Sequence, residues 1–113
     1  MTAAGVVCRA SAGASELSRL FTCEPEKALS MFKNKKYKCI ASDKTKDAVS
    51  SYDADLTKPV LLAIGGERRG LSQSVLNNCD QTIVIDYGRN FRAALSAASA
   101  ATILAFEIRR QNR

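Results

Sequence analysis

The chain contains no histidine and no tryptophan. Without histidine, Ser-His-Asp and Cys-His catalysis, imidazole acid–base chemistry and His-ligated zinc are all excluded. The four cysteines, Cys8, Cys23, Cys39 and Cys79, stand far apart with no C-x-x-C pair. That spacing points to neither a zinc cluster nor a thioredoxin-type motif, so reduced, mostly buried thiols and no metal are expected. No apolar run approaches the ~20 residues that a bilayer span needs. Residues 1–14 also lack a charged segment ahead of a long apolar stretch, so no secretory signal is read there. The expected compartment is the cytoplasm, with no membrane partner.

What remains is average for a globular protein: 113 residues, 46% hydrophobic and 25% charged. Folding at this length hides roughly 60–70% of the unfolded surface, enough for one core and one domain over residues 1–113. Lys and Arg number 17 against 11 Asp and Glu, a formal charge of +6. The excess favours an anionic partner such as RNA, and is equally what keeps many proteins soluble.

Along the chain, Val6 to Ala10 reads as a buried strand ended by the small-residue turn Ser11-Ala12-Gly13-Ala14. Pro25 with Glu24 and Glu26 starts a helix that should stop near Asn34 or Lys35, its lysines favouring the negative end of the dipole. Tyr37 to Ala41 is a second strand, and Ser42 to Lys58 a long, mobile connection with room for a short strand. Val60 to Ile64, bounded by Pro59 and Gly65-Gly66, is apolar throughout, as in a parallel strand covered on both faces. Ser72 can cap a short helix through Val75 and Leu76, followed by a strand at Thr82 to Ile85. A final helix runs from about Ala93 to Arg110, with Leu95, Ser99, Thr102, Ile103 and Phe106 on one face and alanines that permit close packing. Strands alternating with helices predict an α/β fold, a mostly parallel sheet flanked by helices, with ligands at the carboxyl ends of the strands.

The segment Gly65-Gly66-Glu67-Arg68-Arg69-Gly70-Leu71-Ser72 joins a buried strand to a helix through three glycines. It can be a tight turn and no more, or a loop that lays bare amides against a ligand. Its spacing is neither a dinucleotide fingerprint nor a P-loop, which argues against NAD and ATP.

The longer run PVLLAIGGERRGLSQSVLNNCDQTIVI resembles motif 2 of the SpoU (TrmH-like) RNA ribose 2′-O-methyltransferases of the SPOUT superfamily. The likeness fixes Gly65, Glu67, Gly70, Leu71, Cys79, Asp80 and Ile85 together. Ala94-Leu95-Ser96 with Ile103-Leu104-Ala105-Phe106-Glu107 and Arg110-Gln111 is similar to motif 3, and Arg9 to Ala14 and Tyr52 to Leu56 also resemble stretches of that family. The resemblance implies a C-terminal trefoil knot, S-adenosylmethionine as cofactor, and tRNA or rRNA as substrate. It implies that Gly65, Gly66, Ile85, Leu95 and Ser96 bind the cofactor, and that Glu67 and Ser96 belong to the catalytic region. It further implies a homodimer formed through the C-terminal helix. Arg9, Arg68 and Arg69 can hold RNA phosphate, and each is also compatible with a solvated surface position.

The sequence departs from the pattern in two places. Motif 1 of the family, with its Asn and Arg, precedes the strand that begins here near Val6, so the chain is expected to be the C-terminal portion of a longer enzyme, the alternative being a shortened relative that cannot catalyse alone. In motif 3 the common Ser-Leu-Asn is Ala94-Leu95-Ser96, and the usual Ile-Pro-Met is Ile85-Asp86-Tyr87. A non-catalytic RNA-binding module that keeps the fold is the alternative.

Overall fold

The protein is described here by a computed structural model, which describes residue 19 and residues 21–66, 70–86 and 96–113. The strand expected at Val6 to Ala10 lies outside the described residues, as do Arg9, Glu67, Arg68, Arg69 and Leu95. In chain order the elements are α1 (Pro25–Asn34), β1 (Lys38–Ser42), β2 (Val49–Ser50), β3 (Val60–Ile64), α2 (Gln73–Asn78), β4 (Gln81–Val84) and α3 (Ala97–Gln111). The described strands form one sheet in the order β2-β4-β1-β3, and every pairing is parallel.

Alternation along the strands sorts the core into two layers, because successive side chains leave opposite faces of a sheet. On one face Ile40, Ala54, Leu56, Ile83 and Leu104 are buried together, with Val60, Leu62, Ile85 and Ile108 packed against them. On the other, Leu29, Cys39 and Val75 are buried, with Leu61, Ala63, Leu71 and Cys79 alongside. Helices α1 and α2 therefore cover one face and α3 the other, the expected α/β architecture. Strand β3 feeds both layers as its apolar run requires, yet each of its residues stays half-buried because it lies at an edge of the described sheet. The most deeply buried described strand is β1, between β3 and β4, with Cys39, Ile40 and Ala41 buried and its end residues half-buried.

Helix α1 begins at Pro25, where a missing N–H costs nothing, and Glu26 sits in its first turn. It ends in a Schellman turn: Lys36 N donates to Lys33 O at 3.0 Å and Tyr37 N to Phe32 O at 3.0 Å. The apolar contact that accompanies this turn is the edge-to-face pair Phe32–Tyr37, with ring centroids 4.9 Å apart. Lys36 occupies the left-handed position with φ 68°, where a side chain costs about 1–2 kcal/mol relative to glycine.

Segment 42–58 is more than a loose connection. It contributes β2 and the buried Ser51, Ala54 and Leu56, and it is clamped by the end of α3. Gln111 Oε1 accepts from Leu56 N at 2.7 Å while its Nε2 donates to Ala54 O at 3.0 Å. Asn112 Oδ1 accepts from Lys58 N at 2.7 Å and its Nδ2 donates to Leu56 O at 2.9 Å. Two side-chain amides thus do for this segment what a neighbouring strand would do.

The inward stripe of α3 is Ala97, Ala100, Ala101, Leu104, Ile108 and Gln111. Ser99, Thr102, Ile103 and Phe106 share a face as expected, but it is the exposed one. Ala97, Ala100 and Ala101 lie inward beside Leu104 and Ile108, whereas Ala98 and Ala105 are exposed. The helix also starts later than expected, with Ser96 as its N-cap. Of the described thiols, Cys39 is buried and Cys79 half-buried, as expected, whereas Cys23 is exposed, since it precedes α1 and packs in neither layer. Burial raises the pKa of both Cys39 and Cys79, which makes these thiols poor nucleophiles.

Two expectations about stability follow. Gln111→Ala leaves the Leu56 amide without its acceptor, and urea unfolding should show a loss of about 1–3 kcal/mol; a loss below about 0.5 kcal/mol would refute the role of the clamp. Hydrogen bonds from Thr57, aided by Lys38, hold Asp55 at about 2, and hydrogen bonds from Arg110 and Gln111 hold Glu107 at about 2. Both values are below the ordinary 3.8 and 4.5, so the stability these groups contribute is complete above about pH 4.5 and lost as pH falls toward 2. Asp55→Asn should flatten the melting-temperature profile over that window, and an unchanged profile would count against it.

Candidate functional site

All described strands are parallel, so their carboxyl ends, at Ser42, Ser50, Ile64 and Val84, lie along one edge. Ligands of open α/β sheets bind outside such an edge. Here it is formed by the loop after β3, the segment after β4, and the residues that follow β1.

The loop after β3 closes on itself. A Cβ added at Gly65 would lie 2.9 Å from the backbone of Gly70 and Leu71, so its two ends touch and only glycine fits at its start. At the other end, a Cβ on Gly70 would lie 3.2 Å from the Asp43 carboxylate. Asp43 N in turn donates to Ile83 O at 3.1 Å. Three strand ends are drawn together at one point, with Gly66 exposed beside them. The glycine segment thus starts and ends at one point, with Gly65 against the backbone of Gly70 and Leu71.

Ile85, just past β4, is half-buried and packs against the core layer under α3. Ser96 accepts from Ser99 N at 3.1 Å and lies 3.0 Å from the Ser99 hydroxyl. With the far end of α3 clamped at residues 54–58, this antiparallel helix of about 22 Å carries Ser96 back toward the carboxyl edge. Gly65, Gly66, Ile85 and Ser96 are thereby gathered at one edge. Glu67, Arg68, Arg69, Leu95 and Arg9 are outside the described residues.

Two residues of the matched pattern have structural work instead. Asp80 Oδ2 accepts from Cys39 N at 2.8 Å while Asp80 N donates to Cys39 O at 2.7 Å, which ties the start of β4 to β1. Ser72 caps α2, its Oγ accepting from Val75 N at 3.2 Å. Asp43 was not singled out from sequence, because an aspartate in a polar stretch carries no signal until the sheet places it beside Gly70.

Comparison with known proteins identifies relatives of this fold. Residues 2–106 match the SpoU rRNA Methylase family. The chain is 33% identical over 88 residues to a tRNA (guanosine(18)-2′-O)-methyltransferase of Aquifex aeolicus, covering 77% of this chain and 41% of that protein. Among solved structures, an RNA 2′-O ribose methyltransferase superposes with a TM-score of 0.81 at 25% identity, over 93% of this chain and 40% of that one. AviRb, a SpoU methyltransferase from Streptomyces viridochromogenes crystallised with AdoMet, gives a TM-score of 0.62 at 26% identity over 78% of this chain and 36% of its own. The chain thus spans less than half the length of these relatives. With residues 2–106 matched and the motif 2 loop closed at the carboxyl edge of a parallel sheet, the chain belongs to the SpoU rRNA methylase family.

Proposed function

We propose that the chain supplies the cofactor pocket and the dimer helix of a cytoplasmic, S-adenosylmethionine-dependent RNA 2′-O-ribose methyltransferase acting on tRNA or rRNA. The observation that carries this reading is the closed Gly65–Gly70 neck, set at the same edge as Ile85 and Ser96. The residues suit the group: bare backbone at Gly65 and Gly66 admits close approach, and half-buried Ile85 offers an apolar wall to an adenine ring. Leu95 and Ser96 belong to the same cofactor-binding set, and the C-terminal part of the domain forms a trefoil knot. S-adenosylmethionine supplies an electrophilic methyl group when bound. Glu67 organises the basic catalytic region, and Arg9, Arg68 and Arg69 hold phosphate or stabilise the charge that develops on the attacking oxygen.

Ile103 and Phe106 form the dimer surface. Phe106 is 72% exposed and Ile103 43%, on the face of α3 turned away from the core. A second reading, a non-catalytic RNA-binding module, is favoured by one observation: the Ser96 hydroxyl is already engaged in capping α3.

Calorimetric titration with S-adenosylmethionine and S-adenosylhomocysteine tests the pocket. Binding is expected, with a loss of at least about tenfold in Gly65→Ala and none detectable in Leu95→Arg. Full affinity in both folded variants would reject the assignment, and no binding by the folded parent would favour the second reading. For the dimer, Phe106→Glu should lower the sedimentation coefficient to that of a monomer without loss of helix content; an unaltered dimer, or a monomeric parent, would overturn that role.

A further inference from the structure

The opposite edge of the sheet has a character of its own. It collects the amino ends of β1, β3 and β4, the turn after α1 and the last turn of α3. The Schellman turn presents Lys33, Lys35 and Lys36, all exposed. The Gln111–Asn112 clamp sets the end of α3 beside Lys58, and so adds Arg109 and Arg113, also exposed. The acidic groups at this edge are already committed. Asp55 pairs with Lys38 at 3.0 Å, Glu107 with Arg110 at 2.7 Å, and Asp80 accepts from Cys39 N. Lys33, Lys35, Lys36, Lys58, Arg109 and Arg113 make no ion pair among the described residues.

Lys36 gives this edge a second distinction. It holds the left-handed position of the turn, φ 68°, where glycine is the unstrained choice and where lysine brings only its charge. The turn is fixed from below by the Phe32–Tyr37 ring pair, so the charge projects from a rigid corner.

We propose that this amino-terminal edge is a second RNA-contacting surface, one that grips the phosphate backbone away from the cofactor loops. The proposal rests on the RNA-methyltransferase reading above. Strand β1 alone separates the two edges by about 13 Å, at about 3.3 Å per residue, so an RNA held at both is wrapped along the domain. Long cationic side chains from separate segments, without carboxylate partners among the described residues, suit a line of phosphates rather than a single anion. Such contacts give affinity and register without reading sequence.

Fluorescence anisotropy with labelled bulk tRNA, repeated over a salt series on the purified protein, tests this. In the variant Lys33→Gln/Lys35→Gln/Lys36→Gln, affinity should fall at least about tenfold at 0.1 M salt, and the log–log salt slope should lessen by about 2 for three lost contacts. Affinity for S-adenosylmethionine should be unchanged. Lys36→Gly should weaken tRNA binding while resisting urea at least as well as the parent, a combination that a purely structural lysine would not give. Parental affinity and slope in the triple variant would overturn the proposal, as would a loss of affinity with no change of slope. A parent that binds cofactor but no tRNA would also overturn it, and would leave the pocket assignment standing.

Discussion

Four hydrogen bonds from two side-chain amides decide where the last helix lies. Gln111 and Asn112 pair with the backbone of residues 54–58 as a neighbouring strand would. That clamp fixes the lower end of α3, and Leu104, fully buried two turns above it, fixes its distance from the sheet. Burial of one leucine contributes about 2 kcal/mol, and the clamp converts this non-directional gain into a single register. Everything that α3 carries follows: Ser96 returns to the carboxyl edge, Ile103 and Phe106 turn outward, and Arg109 and Arg113 come to Lys58.

The two edges of the sheet differ in character because the described strands all point one way. At the carboxyl edge the chain approaches itself closely, and glycine is required where a Cβ would strike the returning chain at Gly70. At the amino edge exposed cations gather. The acids there are tied up in the fold: Asp80 joins β4 to β1, Asp55 holds Lys38 and Thr57, and Glu107 holds Arg110. Their engagement leaves Lys33, Lys35, Lys36, Lys58, Arg109 and Arg113 without an ion pair among the described residues, so one set of interactions both stabilises the domain and shapes its surface potential.

Much of the fold was legible in the residues. The strand Val60 to Ile64, the Pro25 helix start and the Ser72 cap stand where their patterns place them, and the strand expected at Thr82 to Ile85 lies one residue earlier, at Gln81–Val84. These are local signals, set by alternation, a fixed φ or a capping hydroxyl. The segment from Ser42 to Lys58 was not legible as a core element, because its polar composition hides Leu56, whose burial depends on amides more than fifty residues away. The exposed face of α3 was equally hidden: alanine and isoleucine look alike as apolar positions, and only the packing of helix on sheet turns Ala97, Ala100 and Ala101 inward and leaves Ile103 and Phe106 exposed.

The sequence by itself determined the glycine loop, its family and the candidates Gly65, Gly66, Ile85 and Ser96, because turn chemistry and motif spacing are written in neighbouring residues. It could not determine which groups meet across the chain. The contact between Gly70 and Asp43, the commitment of Asp80 to Cys39, and the gathering of lysines and arginines at the amino edge all depend on strand order and on the clamp. Those are decided by long-range packing and hydrogen bonding, which join residues that no local pattern connects.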